Sequence, residues 1–170
     1  MAKADARRSD LADRIADHLL EAGLGAASLR QLSDAAGLSD RMLIYYFGTR
    51  DAAIEAGLQR GAERMTAILT DQASPEPLAP EALLARIKSV VLDDALAPYM
   101  ALWLEVVSKA ARERSPYKDA AAVIAAGFLD WTASQLDIEA AERRETALLI
   151  LAQVEGLMLL KAAGLPLGAD

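Results

Sequence analysis

The sequence predicts an all-α protein, and three observations carry that prediction. Ala and Leu dominate an apolar fraction of 54%, while aromatics reach only 5%. Ala and Leu are strong helix formers, whereas strands favour β-branched and aromatic side chains. Apolar residues recur at spacings of three and four along the chain, the period of an amphipathic helix. Gly, Pro, Ser, Thr and Asp punctuate those stretches where helices would stop and start. Eight helices are expected in 170 residues, a length of one or two domains.

A first helix is expected over residues 9–22, with Leu11, Ile15, Leu19 and Ala22 on one face and Gly23 and Gly25 ending it. Ser28 caps a second, with Leu29, Leu32, Ala35 and Ala36 along one side. Gly37 supplies the positive φ of a sharp turn, and Leu38 plugs the space between helices. Ser39 caps a third helix that carries Arg41 and Met42 outward and Leu43 and Phe47 inward. Residues 28–47 therefore read as a DNA-binding helix-turn-helix, whose second helix enters the major groove.

Thr49 caps a long fourth helix to residue 72, whose Ala53, Ile54, Leu58, Met65, Ile68 and Leu69 suit two buried surfaces. Residues 73–80 hold Pro75, Pro77 and Pro80, which forbid continued helix and mark a linker. A fifth helix over 81–95 buries Leu83, Leu84, Ile87, Val90 and Val91. Pro98 opens a sixth, to residue 114, with Tyr99, Leu102, Trp103, Val106 and Val107. Ser115 and Pro116 read as the cap and first-turn proline of a seventh reaching 136. Asp137 is expected to cap the last, which ends near Gly164 with Pro166 just beyond.

Residues 11–58 closely resemble the N-terminal domain of TetR-type (tetracycline-repressor-like) transcriptional regulators. The resemblance is carried by Ala22-Gly23, Ser28-Leu29, Ala36-Gly37-Leu38-Ser39, Leu43, Tyr45-Tyr46-Phe47 and the basic Arg50. It implies a DNA-binding domain at 1–50, containing three helices, and an effector-binding and dimerisation domain at 51–170. The chain departs from the family pattern at Ile44, where a Tyr is usual, at Arg50, where Lys is usual, and at Ser33, where a small residue is frequent.

Charge and composition set limits. The net charge is −7, yet residues 1–50 hold seven basic and seven acidic side chains, so the whole imbalance lies in residues 51–170. A neutral N-terminal region is poor for a phosphate-rich partner, and modest, salt-sensitive DNA binding is expected. The chain has no Cys and one His, which excludes disulfides and thiolate metal sites. No catalytic constellation, phosphate-binding Gly loop or metal-binding Glu-x-x-His pair is present, so neither enzyme activity, cofactor nor metal is expected. The longest apolar run, 147–160, is broken by Gln153 and Glu155 and falls short of the roughly 20 residues a bilayer needs. With no apolar leader, a soluble cytoplasmic protein without membrane contact is expected.

For DNA, the candidate residues are Ser28, Arg30, Ser39, Asp40, Arg41, Met42, Tyr45, Tyr46, Thr49 and Arg50. The resemblance places Arg30 on the outward face of the first motif helix, near base or phosphate. Arg41 suits a bidentate contact with guanine, Met42 a thymine methyl, and Asp40 a cap or a support for Arg41. Tyr45 and Tyr46 offer hydroxyls to phosphate, and Thr49 with Arg50 a backbone clamp. In the second half the resemblance implies an effector pocket, with Tyr99, Met100, Trp103, Phe128, Trp131 and Met158 as candidates for an apolar or aromatic small molecule. Glu105 and Gln153, polar within apolar helices, are ligand contacts or simply exposed. His18 reads as a packing or surface residue.

The resemblance also implies a homodimer through the last two helices, for which the small residues Ala120, Ala121, Ala122, Ala125, Ala126, Gly127 and Gly156 permit close approach. The expected function is a ligand-responsive regulator, a repressor released from a palindromic double-stranded operator. The alternative is a helical interaction module of the same fold that has lost DNA binding, motivated by the neutral N-terminal region and Ile44.

Overall fold

Capping chemistry and the positions of Gly and Pro divide the chain into helices much as expected. The computed structural model describes residues 2–112 and 116–165, with side chains from residue 5 onward. Among the described residues there are eight α-helices and no strand: α1 (Ala2–Ala22), α2 (Leu29–Ala36), α3 (Asp40–Phe47), α4 (Arg50–Asp71), α5 (Pro80–Val91), α6 (Ala97–Ala110), α7 (Tyr117–Ser134) and α8 (Arg143–Ala162). Two single 3₁₀ turns, Leu24–Ala26 and Asp94–Leu96, lie between them.

Four boundaries differ from expectation, one of them the end of the sixth helix, at Ala110 rather than residue 114. The first helix begins at Ala2 rather than residue 9. The fifth stops at Val91, because Asp93 opens a separate turn by accepting the Ala95 N–H at 2.8 Å. The last begins at Arg143 rather than after Asp137. Its expected cap is engaged elsewhere: the Asp137 N–H donates to the Leu78 carbonyl at 2.9 Å, and the Leu78 N–H to Gln135 at 2.8 Å. The Pro-rich linker thus holds the 135–137 backbone in an extended bridge with Leu136 fully buried. Pro116 precedes α7 and its carbonyl accepts from Ala120, while Ser115 and Pro166 lie outside the described residues.

The chain divides into two compact units, Met1–Met65 with Ala101–Val123, and Thr66–Met100 with Ile124–Asp170. In the first, Leu11, Ile15, Leu19, Leu32, Leu43 and Ile54 are completely buried. Each removes an aliphatic side chain from water, worth about 1.5–3 kcal/mol. In the second, α5 packs on α8 through Leu83, Ile87, Val90 and Val91 on one helix and Ala147, Ile150, Val154 and Met158 on the other. Opposite that stripe, α8 exposes Leu148, Leu149, Leu159 and Leu160, so it is apolar on two faces. Lys161 closes its C-terminal end, donating to the Leu92 carbonyl at 2.7 Å and to Asp94 at 3.2 Å.

Candidate nucleic-acid interface

The helix-turn-helix is built almost wholly from local hydrogen bonds. Ser28 caps α2 by accepting the Gln31 N–H at 3.4 Å, and the Gln31 side chain returns the bond to the Ser28 N–H at 3.3 Å, a reciprocal capping box. The α2 helix ends at Gly37, whose φ of 68° and ψ of 36° place it in the left-handed region. That conformation lets the N–H groups of Gly37 and Leu38 turn back onto the Asp34 and Ser33 carbonyls at 3.0 and 2.9 Å. Ser33 itself is buried, its hydroxyl donating to the Leu29 carbonyl at 2.8 Å. The polar departure at this position is therefore accommodated within its own helix. Ser39 then caps α3 through the Met42 N–H at 3.4 Å.

Orientation of α3 follows from what it buries. Leu43 and Phe47 are inside, with the Arg8 guanidinium 5.5 Å from the Phe47 ring centre. Asp40, Arg41, Met42, Ile44 and Tyr45 are left exposed, Tyr45 to 76%. Tyr46 is half-buried and meets Tyr45 edge-on, ring centres 5.3 Å apart. Arg41 makes no ion pair among the described residues, with Asp40 or otherwise. On α2, Arg30 is 87% exposed and stands 3.9 Å from Asp34. The Thr49 hydroxyl accepts the Ala52 N–H at 3.0 Å, capping α4. Arg50 is turned onto Asp51, with contacts of 2.7 and 3.0 Å. Its guanidinium is therefore engaged by an acid next to it in sequence.

Three of the seven acids of the first 50 residues are α1 side chains paired with arginines. Asp10 pairs with Arg7 at 2.7 Å and Arg14 at 3.4 Å. Asp13 and Asp17 on α1 face Arg60 and Arg64 on α4. Arg60 donates to Asp13 at 2.7 Å, and Arg64 to Asp17 at 2.5 Å and also to Asp13. The Arg60 hydrogen bond, against burial and with help from Arg64, holds the Asp13 carboxyl below its ordinary value. Burial disfavours the Arg64 charge, but its bonds to Asp17 and Asp13 prevail and raise its pKa, as Asp13 raises that of Arg60. Two pairs at i,i+4 spacing, acidic on one helix and basic on the other, were the available signal for this network.

Of the second-half candidates, Met158 is buried and Tyr99, Met100, Trp103, Phe128 and Trp131 are half-buried. Trp131 donates to the Thr70 hydroxyl at 3.0 Å and lines a shallow open cleft with Leu69, Leu83, Ile87 and Val90. Arg86 borders it, its guanidinium bonded to the Gln72 carbonyl. Glu105 is exposed, as one of its two readings expected, and accepts the Leu24 backbone N–H at 2.8 Å. His18 bonds the Ala26 carbonyl at 2.8 Å. Among the described residues no helix is long and apolar enough to cross a membrane.

No family model matches the chain. Over 109 residues it is 29% identical to the HTH-type transcriptional regulator BetI of Burkholderia mallei, a match spanning 63% of this chain and 56% of that protein. The matched segment thus covers little more than half the length of the curated relatives. A TetR-family transcriptional regulator from Rhodococcus sp. superposes with a TM-score of 0.69 at 20% identity, covering 91% of this chain and 86% of the other. The multidrug binding protein EbrR, complexed with proflavin, gives 0.68 at 22% identity, covering 94% and 91%. The fold is that of TetR-type regulators, as the resemblance over residues 11–58 implied.

Proposed function

We propose that this chain of TetR-type fold is a ligand-responsive DNA-binding transcriptional regulator, a repressor released from its operator by a small apolar or aromatic effector. The observation that carries the reading is an exposed arginine, Arg41, without an ion pair among the described residues, at the start of a helix held at its N-cap by Ser39. There it can meet the N7 and O6 acceptors of guanine in the major groove. Met42, exposed beside it, suits a thymine methyl. Arg30, Tyr45, Tyr46, Ser28, Ser39, Thr49 and Asp40 form the surrounding contact set, and Arg50 would exchange Asp51 for a phosphate.

Residues 1–50 serve as the DNA-binding domain and 51–170 as the effector-binding and dimerisation domain. Two copies join through α7 and α8, whose outward Leu148, Leu149, Leu159 and Leu160 are exposed apolar side chains. The dimer presents two α3 helices to half-sites of a palindrome about 34–36 Å apart. EbrR is a multidrug binding protein seen with proflavin, which supports an aromatic effector here, with Tyr99, Met100, Trp103, Phe128, Trp131 and Met158 as its candidate lining. The effector favours a conformer in which the half-site spacing is lost, α4 transmitting the change. The protein acts in the cytoplasm, where operator DNA is accessible.

Titration of the protein into its own upstream DNA in a gel-shift assay tests this. Retardation of one segment at low salt, reversed by effector, is expected. Absence of specific retardation with folded dimer present overturns it.

A further inference from the structure

We propose that Glu105 is a positioning residue for the helix-turn-helix, fixing the turn through which the chain enters it. Its Oε2 accepts the Leu24 backbone N–H at 2.8 Å, from 81 residues away in sequence. Its Oε1 lies against the preceding residue, since a Cβ on Gly23 would come within 2.5 Å of it. One carboxylate is therefore seated on two consecutive residues, and the lack of a side chain at Gly23 makes the seat. Glu105 lies on the solvent-exposed side of α6, between buried Leu102 and Val106, so its carboxylate reaches Leu24 without being buried itself.

The gripped segment is the 3₁₀ turn Leu24–Ala26, the connection from α1 to the cap of α2. Its other ties are the Ala26 N–H to the Gly23 carbonyl at 3.3 Å and His18 to the Ala26 carbonyl at 2.8 Å. The bond to Glu105 is the charge-assisted one, roughly twice as strong as a neutral bond. Leu24 is only 4% exposed; its N–H is satisfied by the Glu105 carboxylate, and removal of that side chain leaves the N–H without a protein acceptor. Hydrogen bonds weaken steeply with small changes of distance and angle. A shift of α6 is thereby felt at the entrance of the motif, independently of α4, which follows the motif in the chain.

The consequence for DNA rests on the regulator reading, whereas the positioning itself does not, and the test separates them. Full-length wild type, Glu105→Ala and Glu105→Gln are compared by backbone amide exchange without DNA and by titration of the upstream duplex. Glu105→Ala should speed exchange at Leu24 by about tenfold and weaken DNA binding several-fold. Glu105→Gln, whose amide oxygen still accepts, should recover both to within about twofold of wild type. Unchanged Leu24 exchange in Glu105→Ala, failure of Glu105→Gln to restore it, or unaltered affinity in Glu105→Ala while wild type binds would each overturn the proposal. If wild type binds no upstream DNA, the regulator reading falls, and the exchange result alone decides the role of Glu105.

Discussion

The Asp13 carboxylate on α1 accepts hydrogen bonds from two arginines of α4, from Arg60 Nε at 2.7 Å and from Arg64 Nε at 3.0 Å. The two helices flank the helix-turn-helix in sequence, so this carboxylate ties the segment entering the motif to the segment leaving it. The side chains are 27% exposed for Asp13 and Arg64 and 37% for Arg60, so solvent screens the network only in part. Losing Asp13 leaves two guanidiniums short of a partner.

Asp13→Asn should lower stability at neutral pH by about 1–2 kcal/mol, the value of a charged hydrogen bond discounted for partial exposure. The Asp13 pKa is depressed on folding. Its contribution is therefore full above the unfolded value of about 3.9 and is lost as pH falls through the lower folded one. Thermal melts of wild type and variant should differ constantly from neutral down to about pH 5 and converge below about pH 4. A gap that persists in acid would show that packing, not charge, accounts for it.

Gly57 on α4 sits directly on Ile15 of α1: an added Cβ would lie 2.5 Å from Ile15 Cγ2 and 3.1 Å from Leu19 Cδ1. Both neighbours are fully buried and have nowhere to retreat. Alanine gains about 1 kcal/mol of helix propensity over glycine, but overpacking costs about 1–3 kcal/mol. Gly57→Ala should therefore be net destabilising, seen as a lower midpoint in thermal or urea unfolding. A raised midpoint would mean that the two helices separate readily.

Arg41 and Arg50 should fail in different ways. Arg41→Ala should cost about 1–3 kcal/mol of operator affinity and relax preference at one base pair. Arg50→Ala should weaken all sequences alike and reduce the salt dependence by about one phosphate contact. Because Arg50 must first leave Asp51, Asp51→Asn should strengthen binding. Fluorescence anisotropy at several salt concentrations with specific and scrambled duplexes distinguishes these outcomes.

The outer stripe of α8 carries Leu148 and Leu159, 58% and 60% exposed, on the face opposite buried Ala147, Ile150, Val154 and Met158. Replacing both with Glu should leave the inner face intact while placing charges in a dimer seam. Sedimentation velocity should report a dimer for wild type and a folded monomer for the double variant. A variant that remains dimeric would move the interface elsewhere.

The helix-turn-helix is legible in the sequence because its signals act over a few residues. Ser28, Gly37 and Ser39 do their work through bonds to neighbours three to five positions away, a range that sequence pattern reports directly. The apolar run 147–160 is visible in the same way, although which of its leucines stay exposed is not. Whether Arg50 pairs with its neighbour is not either, since that depends on a rotamer rather than a pattern.

Long-range pairing was decided only by the tertiary structure. Asp137 looks like a helix cap, but its backbone continues the extended bridge to Leu78 and α8 starts only at Arg143. Asp13 looks like one more acid opposed to DNA until α4 brings Arg60 to it across 47 residues. Glu105 looks like a stray charge until Leu24 is found beneath it. Local backbone preference fixes which segments are helical, because each bond closes within a turn. Which polar group meets which depends on how the apolar faces of separate helices come together.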